Sequence, residues 1–146
     1  MCGLSAYIGP DNFLQELKES TKLISHRGPD GEGFYFNSDA KLNIGLGHRR
    51  LSIIDLTDNG AQPMIKDNFA ITFVGEIYNY KELRSYCISR GCEFFSETDT
   101  EVILSLFKIH GVESFSMLKG MYSFILHNIS AQTAFIVRDR MGIKPL

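Results

Sequence analysis

Cys2 stands directly behind the initiator methionine and is small enough for that methionine to be trimmed. Trimming leaves one residue carrying both a thiol nucleophile and a free α-amine. The amine's ordinary pKa of about 7.7 to 8.0 suits it as general base for its own thiol, directly or through a water. By itself a terminal cysteine is more often incidental than catalytic. A second stretch that could do chemistry is FAITFVGEIYNYKEL, residues 69–83. It has the form of a ligand-binding turn at a strand end, yet Val74, before Gly75 and Glu76, offers a ligand only methyl groups. A third is His26, Arg27 and Asp30 in the loop SHRGPDG, a cluster that could bind phosphate or act as an acid–base pair. His48 reads as a satisfied strand-end histidine and His110 and His127 as ordinary, and no spacing suggests a metal site.

These residues need a scaffold. Alternation with β-rich composition predicts six strands: Gly3 to Gly9, Gly33 to Phe36, Leu42 to His48, Phe69 to Val74, Met121 to Asn128 and Thr133 to Arg138. Asp11 can cap a helix that repeats Phe13, Leu14, Leu17, Thr21 and Ile24 at helical spacing. A second helix follows Asn79, places Leu83 and Cys87 on one face and stops at Gly91. The third opens at Thr98 with an acidic first turn, carries Val102, Ile103, Leu106 and Phe107 on one stripe, and ends at Gly111. VESFSMLKG adds a short amphipathic turn before a closing hairpin joined by NISAQ, and Met117, Met121, Tyr122 and Phe124 read as core. Strands with two groups of helices and a final hairpin favour an α+β layered sandwich over a parallel doubly wound sheet.

At 146 residues the chain has room for one core. A formal net charge of −2 gives no electrostatic case for nucleic acid or an anionic membrane, so a small neutral or zwitterionic partner fits better. With no apolar run of membrane-spanning length and no secretory pattern at its start, the chain reads as cytoplasmic. Three cysteines argue against a disulfide framework, leaving Cys87 and Cys92 as buried or half-buried thiols. The end, RDRMGIKPL, stops on an apolar leucine and reads as part of something longer.

Taken in order, CGLSAYIG, SHRGPDGEGFY, GLGHRRLSIIDL, GAQPM, GEIYNY, SETDTEVIL, LKGMYSFIL and RDRMGIKPL resemble the class II glutamine amidotransferase domain of glutamine-hydrolysing asparagine synthetases. The resemblance covers the whole chain. It implies a four-layer α-β-β-α sandwich of the N-terminal nucleophile hydrolase type, and hydrolysis of L-glutamine to glutamate and ammonia. It also implies a C-terminal synthetase domain of the same protein as partner and allows a homodimer. ATP and Mg are expected only in that further domain, because this chain has no glycine-rich phosphate loop and no cofactor of its own. Residues 1–146 are then a partial amidotransferase domain, and an open sheet edge predicts poor solubility or pairing with a partner for this stretch alone.

Within the resemblance Cys2 is the nucleophile. Arg50 takes the α-carboxylate, a task for which a planar guanidinium is well shaped. Asp99 takes the α-ammonium, with Thr98 available as the helix cap in its place. Ile53, Gly75 and Glu76 line the substrate, with glycine permitting close approach. The His26–Asp30 loop shapes and supports the site. The departure is Val74, which stands where the family has the asparagine whose side-chain amide donates to the oxyanion alongside the Gly75 N–H. Loss of one such donor costs about 2.7 to 4 kcal/mol, a hundred- to a thousandfold in turnover, while ground-state binding survives. The rival is a non-enzymatic glutamine sensor or scaffold using the same pocket. An unrelated thiol hydrolase is disfavoured, since no His with Asp or Asn is placed to activate a mid-chain cysteine. The ammonia acceptor, aspartate by default, is not encoded here.

Overall fold

The structure is a computed structural model that describes residues 2–11, 13–38, 43–52 and 57–146. Strand β1 (Gly3–Gly9) pairs antiparallel with β3 (Asn43–Arg50), which also pairs with β2 (Gly31–Ser38), giving one sheet in the order β1-β3-β2. The second sheet runs β4 (Met64–Lys66), β5 (Phe69–Ile77), β6 (Gly120–Asn128), β7 (Thr133–Arg138), antiparallel throughout. Helix α1 (Leu14–Leu23) lies on the first sheet, and α2 (Tyr80–Ser89) and α3 (Asp99–His110) cover the second. The layering is helix, sheet, sheet, helix, as the resemblance implied.

Two-residue alternation divides the faces. On β5, Ile71, Phe73 and Ile77 point into the helix-side core with Val102, Ile103, Leu106, Tyr122, Phe124 and Leu126. Ala70, on the opposite face, meets Ile44, Leu46 and Ile125 between the sheets. That inter-sheet layer also carries two polar clasps. His48 Nδ1 lies 3.2 Å from Thr72 Oγ1, whose hydroxyl donates to the Gly47 carbonyl, so the imidazole is the donor of the pair. His127 Nδ1 lies 3.0 Å from the Tyr35 hydroxyl. Both histidines are fully buried and, among the described residues, neither Nε2 has a hydrogen-bond partner, which corrects the expectation of a satisfied His48 and an ordinary His127. Burial, reinforced by the Arg50 charge, pushes the His48 pKa down to about 3, so the ring is neutral at neutral pH.

Other expectations shift at element edges. α1 starts after Phe13, which has no side-chain acceptor, so Asp11 is not its cap; the Asp11 carbonyl instead accepts from Asn43 Nδ2 at 3.0 Å. Leu14 is exposed, while Phe13, Leu17 and Thr21 are buried. β5 does not stop at Val74 but continues through Gly75 to Ile77, and β4 was not foreseen. α3 keeps its Thr98 cap and Gly111 stop, but Leu104 and Ser105 are buried as well, so it is enclosed well beyond one stripe. Of the four edge strands among the described residues, β1 and β7 carry Ile8 and Ile136, both exposed.

α1 sits close to the first sheet because β3 presents glycines to it. A side chain at Gly45 would overlap the Phe13 ring and Leu17, and one at Gly47 would overlap Thr21 and Ser5, whose hydroxyls are 2.5 Å apart. Gly47→Ala should therefore cost about 1 to 3 kcal/mol through overpacking, read as a lower midpoint in urea with an unchanged slope.

Candidate functional site

The site gathers at one end of β5. Three residues there, Phe73, Gly75 and Ile77, have the same backbone phase. Tyr122, opposite Gly75, directs both its backbone groups toward the residue 139 side: its carbonyl accepts from the Asp139 N–H at 2.8 Å and its N–H donates to Asp139 Oδ2 at 3.2 Å. Gly75 consequently turns its N–H away from β6. Its neighbours in phase find side-chain acceptors on that side, the Phe73 N–H on Gln62 Oε1 at 2.7 Å and the Ile77 N–H on Asp99 Oδ2 at 3.0 Å. The Gly75 N–H faces the cleft between them. Its φ of +147° and the Met121 carbonyl, which a side chain would strike, restrict this position to glycine.

The cleft encloses about 140 Å³ and is lined by Cys2, Arg50, Leu51, Gln62, Gly75, Glu76, Thr98 and Asp99 among others. The Cys2 thiol sits at its wall, where Sγ accepts the Leu51 N–H at 3.3 Å and lies 3.5 Å from the Leu51 carbonyl. Arg27 Nε donates to the Cys2 carbonyl at 3.1 Å, and Asp30 accepts the Ser52 N–H at 2.9 Å. The SHRGPDG loop thus ties the start of β1 to the segment after β3, a supporting role. The Arg50 guanidinium donates to the Thr57 carbonyl at 2.9 Å and packs over Gly60, where any side chain would collide with it. Arg49 points elsewhere, to Glu32 at 2.7 Å and the Gly28 carbonyl.

Asp99 is 4% exposed, and among the described residues no lysine or arginine pairs with it. Burial pushes its carboxyl up to about 6, against the pull of the Ile77, Thr100 and Asp99 N–H groups, and Glu76 pushes the same way. Thr98 already caps α3 by accepting the Glu101 N–H, so the helix does not need Asp99 as its cap. A buried anion beside open space is arranged to receive a cation. Val74 is buried on the opposite face of β5, where it lines a separate cavity of about 210 Å³ with Cys2, Leu4, Ser123 and Leu146. It gives that wall no donor. Ile53 lies outside the described residues.

The structure therefore brings Cys2, Arg50, Gly75, Glu76 and Asp99 to one cleft. Sequence reasoning missed Leu51, which acts through its backbone, and Gln62, whose amide joins β5 to Thr100 Oγ1 at 3.2 Å. Gln62 lies in the GAQPM block, but a lone glutamine carries no signal of its own. Among the described residues no group of three His, Cys, Asp or Glu could hold a metal ion, and no helix is long and apolar enough to cross a membrane.

Comparison with known proteins bears on what such a cleft receives. A family model described as a glutamine amidotransferase domain matches residues 1–146. The chain belongs to the glutamine amidotransferase domain family. It is 40% identical, over its full length, to asparagine synthetase [glutamine-hydrolyzing] 1 of Bacillus subtilis, and 35% identical to amidase chry2 of Gibberella zeae. It spans about a quarter of the length of each, 24% in both cases. A solved glutamine phosphoribosylpyrophosphate amidotransferase from Bacillus subtilis, complexed with ADP and GMP, matches 99% of this chain and 38% of that chain with a TM-score of 0.79. At 21% identity that likeness shows the fold alone, the helix, sheet, sheet, helix layering described above.

In this amidotransferase domain the charge on Asp99 opposes folding. Its folded-state pKa, raised from 3.8 to about 6, means that the native state holds the proton more tightly than the unfolded chain, a cost of about 3 kcal/mol once pH exceeds 6. An asparagine at this position would keep an acceptor for the Ile77 N–H without the charge. Asp99→Asn should raise stability at pH 7.5 by up to about that amount, and the gain should shrink to nothing as pH falls from 6 to below 3.8, measured by urea unfolding across that range.

Proposed function

We propose that this domain hydrolyses L-glutamine to glutamate and ammonia, and that the ammonia serves a synthetase domain in the same protein. The observation that carries the reading is a thiol in one cleft with a guanidinium and a buried carboxylate that has no described cation partner, a set matched to the two charged groups of an amino acid beside its side-chain amide. Arg50 holds the α-carboxylate and Asp99 the α-ammonium, while Glu76 completes the substrate wall.

With Met1 removed, the Cys2 α-amine takes the thiol proton, and the thiolate attacks the amide carbon. The oxyanion that forms accepts the Gly75 N–H. The amine's proton passes to the leaving nitrogen, ammonia departs and a thioester remains. Water then adds, its proton going to the amine, and glutamate is released with the thiol restored. Before attack, the Leu51 N–H donates to Sγ and holds the sulfur at the cleft wall. Val74 removes the second oxyanion donor, so turnover is slow while binding is intact. In the larger protein the acceptor is aspartate, by likeness to the Bacillus synthetase, with ATP and Mg in the synthetase domain; likeness to an amidase keeps other acceptors in view.

Val74 also favours a second reading, a glutamine-binding sensor without turnover. Two measurements on the full natural chain separate them: intact mass, and glutamate release from glutamine with Val74→Asn alongside. Loss of Met1 and a gain of about a hundredfold in kcat for Val74→Asn support the enzyme. A retained Met1, or glutamine binding without glutamate release in both proteins, supports the sensor. Because the ammonium ligand must be ionised, the KM for glutamine should rise up to about tenfold per pH unit below 6, with kcat/KM read between pH 5 and 8.

A further inference from the structure

Thr98 and Glu101 stand at the cap and third positions of α3, the spacing of a capping box. In that motif the glutamate reaches back to the N–H of the cap residue. Here it does not: the Thr98 N–H goes to Ser96 Oγ at 3.3 Å, and the Glu101 carboxylate reaches further upstream. It accepts the Phe95 N–H at 3.1 Å, and the Ser96 N–H and Ser96 hydroxyl each at 2.7 Å. The other side of the same carboxylate is held by Lys66 of β4, with Nζ at 2.7 Å from Oε1, 3.0 Å from Ser105 Oγ and 4.4 Å from the Phe94 ring centre. Glu101 is fully buried, and although burial alone would raise its pKa, the Lys66 and Ser96 side chains and the two N–H groups hold it below the usual carboxylate value.

Helix capping does not call for this much. One Thr98 oxygen suffices for the Glu101 N–H, and the contacts to Phe95, Ser96 and Lys66 serve the segment before the helix. That segment delivers Asp99, two residues from Glu101, to the Ile77 N–H. We propose that Glu101 is a positioning residue: anchored to Lys66, it folds residues 95–98 around its carboxylate and so holds Asp99 against β5 at the wall of the cleft. For its catalytic consequence the inference rests on the reading of Asp99 as the ammonium ligand; the geometric part stands without it.

The Ile77 N–H faces outward from β5 and its partner is Asp99, so its hydrogen exchange reports where Asp99 sits. The experiment compares exchange at Ile77 with exchange in β3, on the full natural chain, for wild type, Glu101→Gln and the milder Ser96→Ala. A glutamine at position 101 would set an NH₂ group against the Phe95 or Ser96 N–H donors. Expected is Ile77 exchange about tenfold faster or more in Glu101→Gln, and a smaller change of the same sign in Ser96→Ala, with β3 protection unchanged. The KM for glutamine should rise about tenfold with kcat within about twofold. Unchanged Ile77 exchange overturns the proposal, as does an equal loss of protection in both strands, which would mark a general structural role. If Glu101→Gln does not fold, Ser96→Ala with unaltered Ile77 exchange overturns it. A wild type that neither binds nor cleaves glutamine refutes the functional reading, while the exchange comparison still decides this one.

Discussion

A carboxylate taken out of water without a counter-ion is the constraint around which this domain is arranged. Asp99 is buried, stands at the start of α3 and, among the described residues, has only backbone N–H groups to offset its desolvation. Such a group is expensive to keep in a fold unless something else uses the charge. The surroundings hold it in place: Thr98 relieves it of capping, Ile77 fixes one oxygen, and the Glu101–Lys66 pair braces the preceding turn. A ligand ammonium would supply a partner, so a charge that costs stability in the free domain would favour binding of a cation.

Strand β5 converts that constraint into a site. One face packs on the helix-side core and the other on the first sheet, so the strand cannot shift register without inverting both. Its outward edge then offers N–H groups at fixed spacing, with Gln62 and Asp99 taking the two that flank Gly75. The thiol arrives from the other sheet, from the start of β1, held by Leu51 and Arg27. Cys2 and Arg50 thus come from the first sheet, and Gly75 and Asp99 from the second sheet and the helix beside it, and the inter-sheet clasps of His48 with Thr72 and Tyr35 with His127 help set their relative placement.

Much of this was legible in the sequence where local chemistry decides structure. Thr98 and Gly111 bracket α3 because a hydroxyl cap and a left-handed stop are local needs, and β1 and β7 show in their alternation and turns. β4 was not legible, since three residues carry no pattern until β5 pairs with them. Nor was the run of β5 through Gly75, because a glycine that ends a strand and one that lets backbone approach backbone look alike. The resemblance named Cys2, Arg50, Gly75, Glu76 and Asp99, which lie together in the cleft. Leu51 escaped because any residue can offer an N–H, and Glu101 because its partners are 35 residues away on β4 and in the preceding turn.

The central claim is that the Cys2 thiol lies within reach of a ligand held as an amino acid by Arg50 and Asp99. The most direct measurement is labelling of the full natural chain with a glutamine analogue that carries an electrophilic ketone in place of the amide, mapped by mass spectrometry over Cys2, Cys87 and Cys92. The account predicts modification of Cys2 that excess L-glutamine suppresses, with Cys87, buried and pushed up to about 11, untouched. Labelling centred on Cys92, or labelling of Cys2 that glutamine fails to slow, would contradict it.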